Sequence, residues 1–220
     1  MKTNSLQGGG RRSQAGGLLA GLALLLLGSA RADAHLVTTG LGPVYDGIGH
    51  FCLSPDDMLP AFTLALLAGL RGAAAGRRAL WILPVAWLAG GLGGLAAPGL
   101  PSPPEQLAAA LAFLLLGGLV AADAGLPTAV VASLAGLLGV THGFFNGLAM
   151  REGGAATGSL QLAGVAVTLF VLTALVAAVV VSLHRPWMRI VVRVGGSWIA
   201  AMGLLLLGWT LHQGARMPLQ

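Results

Sequence analysis

The sequence predicts an all-α membrane protein, with six transmembrane helices in one bundle behind a cleavable signal peptide. Three observations predict it. Hydrophobic residues make up 56% of the chain and charged residues 9%, against roughly 25% charged in a soluble domain. The apolar residues gather in runs close to the ~20 residues that cross a bilayer's hydrocarbon core. The chain's 35 glycines suit helices whose backbones approach closely in lipid. The formal charge of +5 is not the footprint of a nucleic-acid partner. Lys2, Arg11, Arg12 and Arg31 lie in the segment expected to be removed, and the other basic residues fall between apolar runs or near their ends, as membrane topology demands. A lone cysteine, Cys52, excludes an intrachain disulfide and a cysteine zinc cage.

Residues 1–34 read as a secretory signal peptide. Lys2, Arg11 and Arg12 form its basic region, Gly17 to Leu27 its apolar core, and Ala32-Asp33-Ala34 a small-x-small cleavage site. The alternative is an uncleaved first span. Cleavage after Ala34 makes His35 the new N-terminus, where amine and imidazole together can chelate a metal; the plainer alternative is a terminus without function. Residues 35–54 are mixed and glycine-rich and are expected to form an extracytoplasmic loop. Residues 55–212 form the six-helix domain, with spans near 55–70, 79–97, 106–122, 126–149, 158–183 and 189–211, and residues 213–220 a short extracytoplasmic tail. With the mature N-terminus outside, Arg71, Arg77, Arg78, Arg185, Arg189 and Arg193 fall inside, and Arg151 and Arg216 outside, which favours this orientation in a bacterial inner membrane. The stretch from Pro98 to Glu105 is proline-rich and should be a stiff outer loop.

Chemistry concentrates at the start of the first span. Three of the seven acids, Asp46, Asp56 and Asp57, lie within a few residues of His50. Carboxylates and an imidazole at the mouth of an apolar bundle are costly and point to a metal or proton site. Ser54-Pro55-Asp56-Asp57 also has a structural reading, because Ser favours the N-cap, Pro the first helical position and acids the first turn. One continuous helix would hold His50 and Asp57 about 10 Å apart at 1.5 Å per residue, so a shared metal requires a fold-back at Pro55. Asp46 and His35 are placed as supporting or access residues.

A second constellation lies in the fourth run. His142, Asn146 and Met150 recur every four residues and share one helix face. Gly139, Gly143 and Gly147 form an adjacent stripe suited to close packing. His142 and Asn146 either bridge helices by hydrogen bonds or face the bundle interior as ligands. The expected topology puts His142 in the outer half of its helix, on the same side as Asp56 and Asp57, so the two sets should meet.

These motifs resemble the HupE/UreJ family of nickel or cobalt permeases and accessory proteins of hydrogenase and urease operons. The resemblance rests on the six-span layout, the secretory signal, the Gly47-Ile48-Gly49-His50 approach to the first span and the His142-Gly143 pair. The family's first-span motif is His, five residues, then Asp-His; His50 and Asp56 match, and Asp57 stands where the second His would be. Its later motif repeats His-Gly; His142-Gly143 match, and Asn146-Gly147 replace the second pair. Two imidazoles thus give way to a carboxylate and an amide, and oxygen ligands move preference toward harder ions. The resemblance implies binding or transport of a divalent transition metal, nickel foremost, with cobalt, copper or zinc as alternatives. His50, Asp56, Asp57 and His142 are the expected ligands and Asn146 a supporting group. The expected partners are the lipid bilayer, the metal ion and a metalloenzyme or its assembly proteins. A non-transporting accessory subunit is the main rival, and a haem protein using His50 and His142 a further one. No Gly-x4-Gly-Lys-Ser/Thr loop is present, no enzyme motif appears, and no enzymatic activity is expected.

Overall fold

Proline and glycine placement decides where the helices begin and how closely they pack. A computed structural model describes residues 38–97 and 105–216 of the chain. Among these residues the fold is all helical: α1 Pro43–Leu53, α2 Pro55–Leu70, α3 Ala73–Leu95, α4 Glu105–Ala121, α5 Thr128–Met150, α6 Ala155–Val181 and α7 Pro186–Arg216, with one 3-10 turn, Arg151–Gly153, between α5 and α6. The expected signal peptide, His35 and the proline-rich stretch 98–104 lie outside the described residues. Helices α3, α5, α6 and α7 are long and apolar enough to cross a membrane; the bent pair α1–α2 makes a fifth if counted as one span, and α4 is a shorter apolar helix.

The expected loop over residues 35–54 is corrected over Pro43–Leu53, which form α1. Its Gly and Pro content hides the helix, yet Pro43 sits where a helix tolerates it best, at the first position. Ser54 then breaks the helix. The residue before a proline is driven out of the α region, and Ser54 is extended, with φ −98° and ψ 94°. The axes of α1 and α2 consequently bend by 77°. Ser54 is the N-cap residue of α2, but its side chain makes no capping hydrogen bond; its hydroxyl is not what starts the helix.

The central helix is α2, most of whose side chains are buried. It is flanked by α3, α4 and α6, and a core of Leu64, Leu67, Leu83, Trp87, Val120, Leu162 and Leu169 fills the space between them. The most extensive helix contact joins α3 and α5. There a Cβ built on Gly90 would stand 2.2 Å from the Val140 carbonyl oxygen, and one on Gly94 2.2 Å from that of Phe144. In return, Gly143 and Gly147 lie against the backbones of Trp87 and Gly91, where an added Cβ would stand 2.1 and 2.0 Å from their carbonyl oxygens. Both series rise together along the chain, so α3 and α5 run parallel. Glycine seams also join α4 to α7, where Gly117 meets Ala200, and α1 to α6, where Gly47 meets Gln161. Lipid supplies little hydrophobic drive for helix association, and such close approach is what holds a bundle together.

One end of the bundle is tied by Asp123, which sits just past α4 with φ 48°. It accepts from Arg71 at the end of α2 and from Arg189 of α7, the latter at 3.1 Å, while Arg193 Nε donates to the Ala121 carbonyl at 2.9 Å. At the other end Arg151 donates to the Ala97 carbonyl at 3.2 Å. Helix α7 touches mainly α4, and Trp198, Leu205 and Trp209 on it are exposed, as a lipid-facing surface requires.

Gly147→Ala should be poorly tolerated, because its methyl group would meet a carbonyl oxygen of α3 rather than a movable side chain; overpacking of this kind costs about 1–3 kcal/mol. Gly118→Ala, with no neighbour near a Cβ, should be neutral or stabilising by up to about 1 kcal/mol. Thermal unfolding followed by circular dichroism in detergent would check the pair: a lowered midpoint for the first only is expected.

Candidate functional site

The bend at Ser54 turns the end of α1 back over the start of α2. His50 Nε2 thereby comes to 4.0 Å from Asp57 Oδ2, far closer than one straight helix would permit. Asp57 lies in the first turn of α2 and is only 3% exposed. A carboxylate is acceptor-only, and a buried one needs donors. Helix α5 supplies them from one face. The His142 imidazole Nδ1–H donates to Asp57 Oδ1 at 3.0 Å, and the Asn146 amide donates to Asp57 Oδ2 at 2.7 Å.

Trp87 completes the chain of donors. Its indole N–H, which cannot accept, donates to Asn146 Oδ1 at 3.4 Å. That contact fixes the amide with its oxygen toward α3 and its NH2 toward the carboxylate. The glycine seam is what lets α3 come this close. Rings enclose the assembly: Phe51 meets Trp87 edge-on with centroids 5.9 Å apart, Trp87 and His142 are 5.6 Å apart, and Phe145 lies 6.4 Å from His142. His142 also lines an apolar groove of about 270 Å³ between α4 and α5.

The tautomer has a consequence. A neutral imidazole whose Nδ1 carries the proton keeps a lone pair on Nε2, and a carboxylate partner on the other ring nitrogen is the usual way a metal-ligating histidine is oriented. For His50 the relevant length is the span across an ion. Two ligand atoms at about 2.0–2.2 Å from one metal stand at most about 4.4 Å apart, so the His50–Asp57 separation lies within that reach. Among the described residues, however, no three His, Cys, Asp or Glu side chains form a group poised to hold a metal.

The structure therefore brings His50, Asp57, His142 and Asn146 together. Asp56, adjacent in sequence, is partly buried and makes no hydrogen bond with them. Asp46 is engaged elsewhere. Its Oδ1 accepts from the backbone N–H and the hydroxyl of Thr39, at 2.6 and 2.7 Å, closing the turn before α1. Thr168 bonds the Gly164 carbonyl of its own helix at 2.9 Å. Gln161 is buried with its side-chain oxygen unpartnered. Two residues that sequence reasoning passed over belong here. A tryptophan buried mid-span needs a partner for its N–H, which was the signal that could have found Trp87. Glu105, the first residue of α4, stands at the same end of the bundle as Asp57.

Asp57→Ala should leave the His142 and Asn146 donors buried without an acceptor, each at a cost of about 1–3 kcal/mol. Asp56→Ala strands no partner and should cost much less. Unfolding midpoints of the two variants measured side by side check this; equal losses would contradict the assignment.

The family model described as HupE / UreJ protein matches residues 22–206. The chain is 31% identical to "Protein HupE" of Rhizobium leguminosarum bv. viciae over 195 residues, covering 86% of this chain and 94% of that protein. No solved structure matches. With glycine-seamed apolar helices and a His142-Gly143 pair at the heart of the bundle, this chain belongs to the HupE/UreJ family.

Proposed function

We propose that the chain binds a divalent transition metal cation, nickel or cobalt by chemistry, at the His50–Asp57–His142 cluster and passes it across the membrane. The observation that carries this reading is a buried carboxylate held by two donors of α5 while an imidazole of α1 stands 4.0 Å away. The family is associated with nickel or cobalt uptake or with accessory roles in hydrogenase and urease systems, and the chemistry here agrees with the first. Imidazole and carboxylate together suit borderline divalent metals. In this reading His50 Nε2 and Asp57 Oδ2 take the ion, His142 and Asn146 hold the carboxylate in place, and water completes the coordination. Such a site is weak and exchangeable, as passage requires. Asp56 and Glu105 add negative charge at the approach.

The membrane arrangement proposed with it has six spans, α2 to α7, with α1 folded back at the outer surface and the mature N-terminus outside. The short helices α2 and α4 then flank the site, and the basic end lies in the cytoplasm. A signal peptide over residues 1–34 and an inner-membrane location accompany this topology. No catalytic step is assigned.

A second reading, an accessory membrane subunit of a metalloenzyme or its assembly proteins, is favoured by the lack of a three-ligand group among the described residues. In that case the Asp57 network only fastens α2 to α5. Uptake of radioactive nickel into proteoliposomes separates the two. Transport predicts uptake above empty vesicles, a fall of about tenfold or more in His50→Ala, in line with the loss of one metal ligand, and little change in Glu152→Gln. Uptake equal to empty vesicles for wild type, with nickel and with cobalt, would leave the accessory reading standing.

A further inference from the structure

A second feature lies on the opposite end of the bundle from Asp57. Helices α3 and α6 part along their outer faces and leave two adjoining hollows that share Leu80. The hollow at the basic end, about 510 Å³, is lined by Ala73, Arg77, Thr173, Ser182 and His184. The next one, about 350 Å³, is lined by Trp81, Pro84, Val85, Val167 and Phe170 and has almost no polar surface. The groove therefore runs from a cationic end to an apolar one.

Two independent observations give the cationic end the character of a phosphate site, and a third puts an unpartnered hydroxyl deeper in the same hollow. Helix α3 begins there, its N-cap is Gly72, and no side chain caps the free N–H groups of its first turn; such a terminus attracts anions. Arg77 stands one turn further along and has no carboxylate partner among the described residues, since Asp123, the acid at this end, is already shared by Arg71 and Arg189. Thr173 is fully buried, its hydroxyl has no hydrogen-bond partner, and it lines the same hollow. An unsatisfied buried hydroxyl costs free energy unless something donates to it or accepts from it.

The length of the groove identifies the rest of the ligand. From Ala73 to Leu88 at 1.5 Å per residue it extends about 22 Å, and one leaflet with its polar layer is about 20–22 Å deep. Trp81 and Phe170 meet edge-on across it, with centroids 5.2 Å apart, giving an aromatic wall. Pro84 removes one helical N–H, so the Leu80 carbonyl at the junction of the hollows lacks its usual helical partner.

We propose that the α3–α6 groove binds one anionic phospholipid, with its phosphate at Arg77, His184 and the start of α3 and an acyl chain along Trp81, Pro84 and Phe170. The site is independent of the metal cluster and of which reading of that cluster holds. The lipid would brace α3, and so the Trp87–Asn146 contact further along the same helix.

Native mass spectrometry of the full chain, released from micelles containing equal phosphatidylglycerol and phosphatidylcholine of identical chains, tests this. One phosphatidylglycerol should be retained per chain in preference to phosphatidylcholine. Arg77→Gln should lower its retention about fivefold, the size of one arginine's attraction to an anionic lipid, while Arg78→Gln, an equal loss of charge beside the groove, should change it less than twofold. Ala178→Leu should also lower retention by narrowing the hollow. Excess glycerol 3-phosphate should not displace the lipid. Equal retention of both lipids, equal loss in Arg77→Gln and Arg78→Gln, or displacement by glycerol 3-phosphate would each overturn the proposal.

Discussion

A carboxylate placed among apolar helices has to be met by donors from elsewhere in the fold, and Asp57 is met by His142 and Asn146 on a single face of α5. This constraint orients more than a side chain. It fixes the rotation of α5 toward α2. That rotation in turn presents the glycines of α5 to α3, because Gly139, Gly143 and Gly147 lie one step from His142 and Asn146 around the helix. The backbones of α3 and α5 can then approach until Trp87 reaches the Asn146 amide. Packing and polarity are thus two consequences of the same register. A bulkier residue in the seam would pull the indole from the amide, and loss of the carboxylate would strand the donors that the seam brings in.

The bundle divides its charges between two ends. Asp57 in the first turn of α2 and Arg71 just past its last residue lie fourteen residues apart, about 21 Å at 1.5 Å per residue. The Asp57 end gathers carboxylates and imidazoles under aromatic cover. The Arg71 end gathers arginines around Asp123. On the proposed reading a cation is drawn to the first end and has only weak ligands to leave behind, while the second end sets orientation and holds anionic lipid. The bend at Ser54 is central to this reading. It lets two short helices with modest apolar content fold a histidine over an aspartate of the next helix, an arrangement that a straight span would exclude.

Much of this was legible in the sequence, for reasons that differ by residue. The apolar runs located α2, α4, α5 and α6 to within three residues at each end, because hydropathy carries that signal directly, but they missed six residues at the start of α3, where Arg77 and Arg78 interrupt the apolar pattern, and five at the end of α7. The meeting of Asp57 with His142 followed from counting span directions, and the Asn146 and glycine faces from a four-residue period. Helix α1 was not legible: Gly47, Gly49 and Pro43 read as loop, and its helicity comes from packing of Gly47 and Val44 on α6. The role of Asp46 was hidden because a short-range turn with Thr39 competes with any ligand role. Trp87 was hidden because nothing in its own segment announces the amide it donates to.

The central claim is that Asp57 and His142 act as one unit across two helices. A double-mutant cycle on unfolding free energy in mixed micelles, using Asp57→Ala, His142→Ala and the combination, measures that unit directly. Coupling of about 1 kcal/mol or more, with the double variant less damaged than the sum of the singles, is the predicted result. Additivity within about 0.5 kcal/mol would mean that the two residues do not sense one another, and would contradict the account.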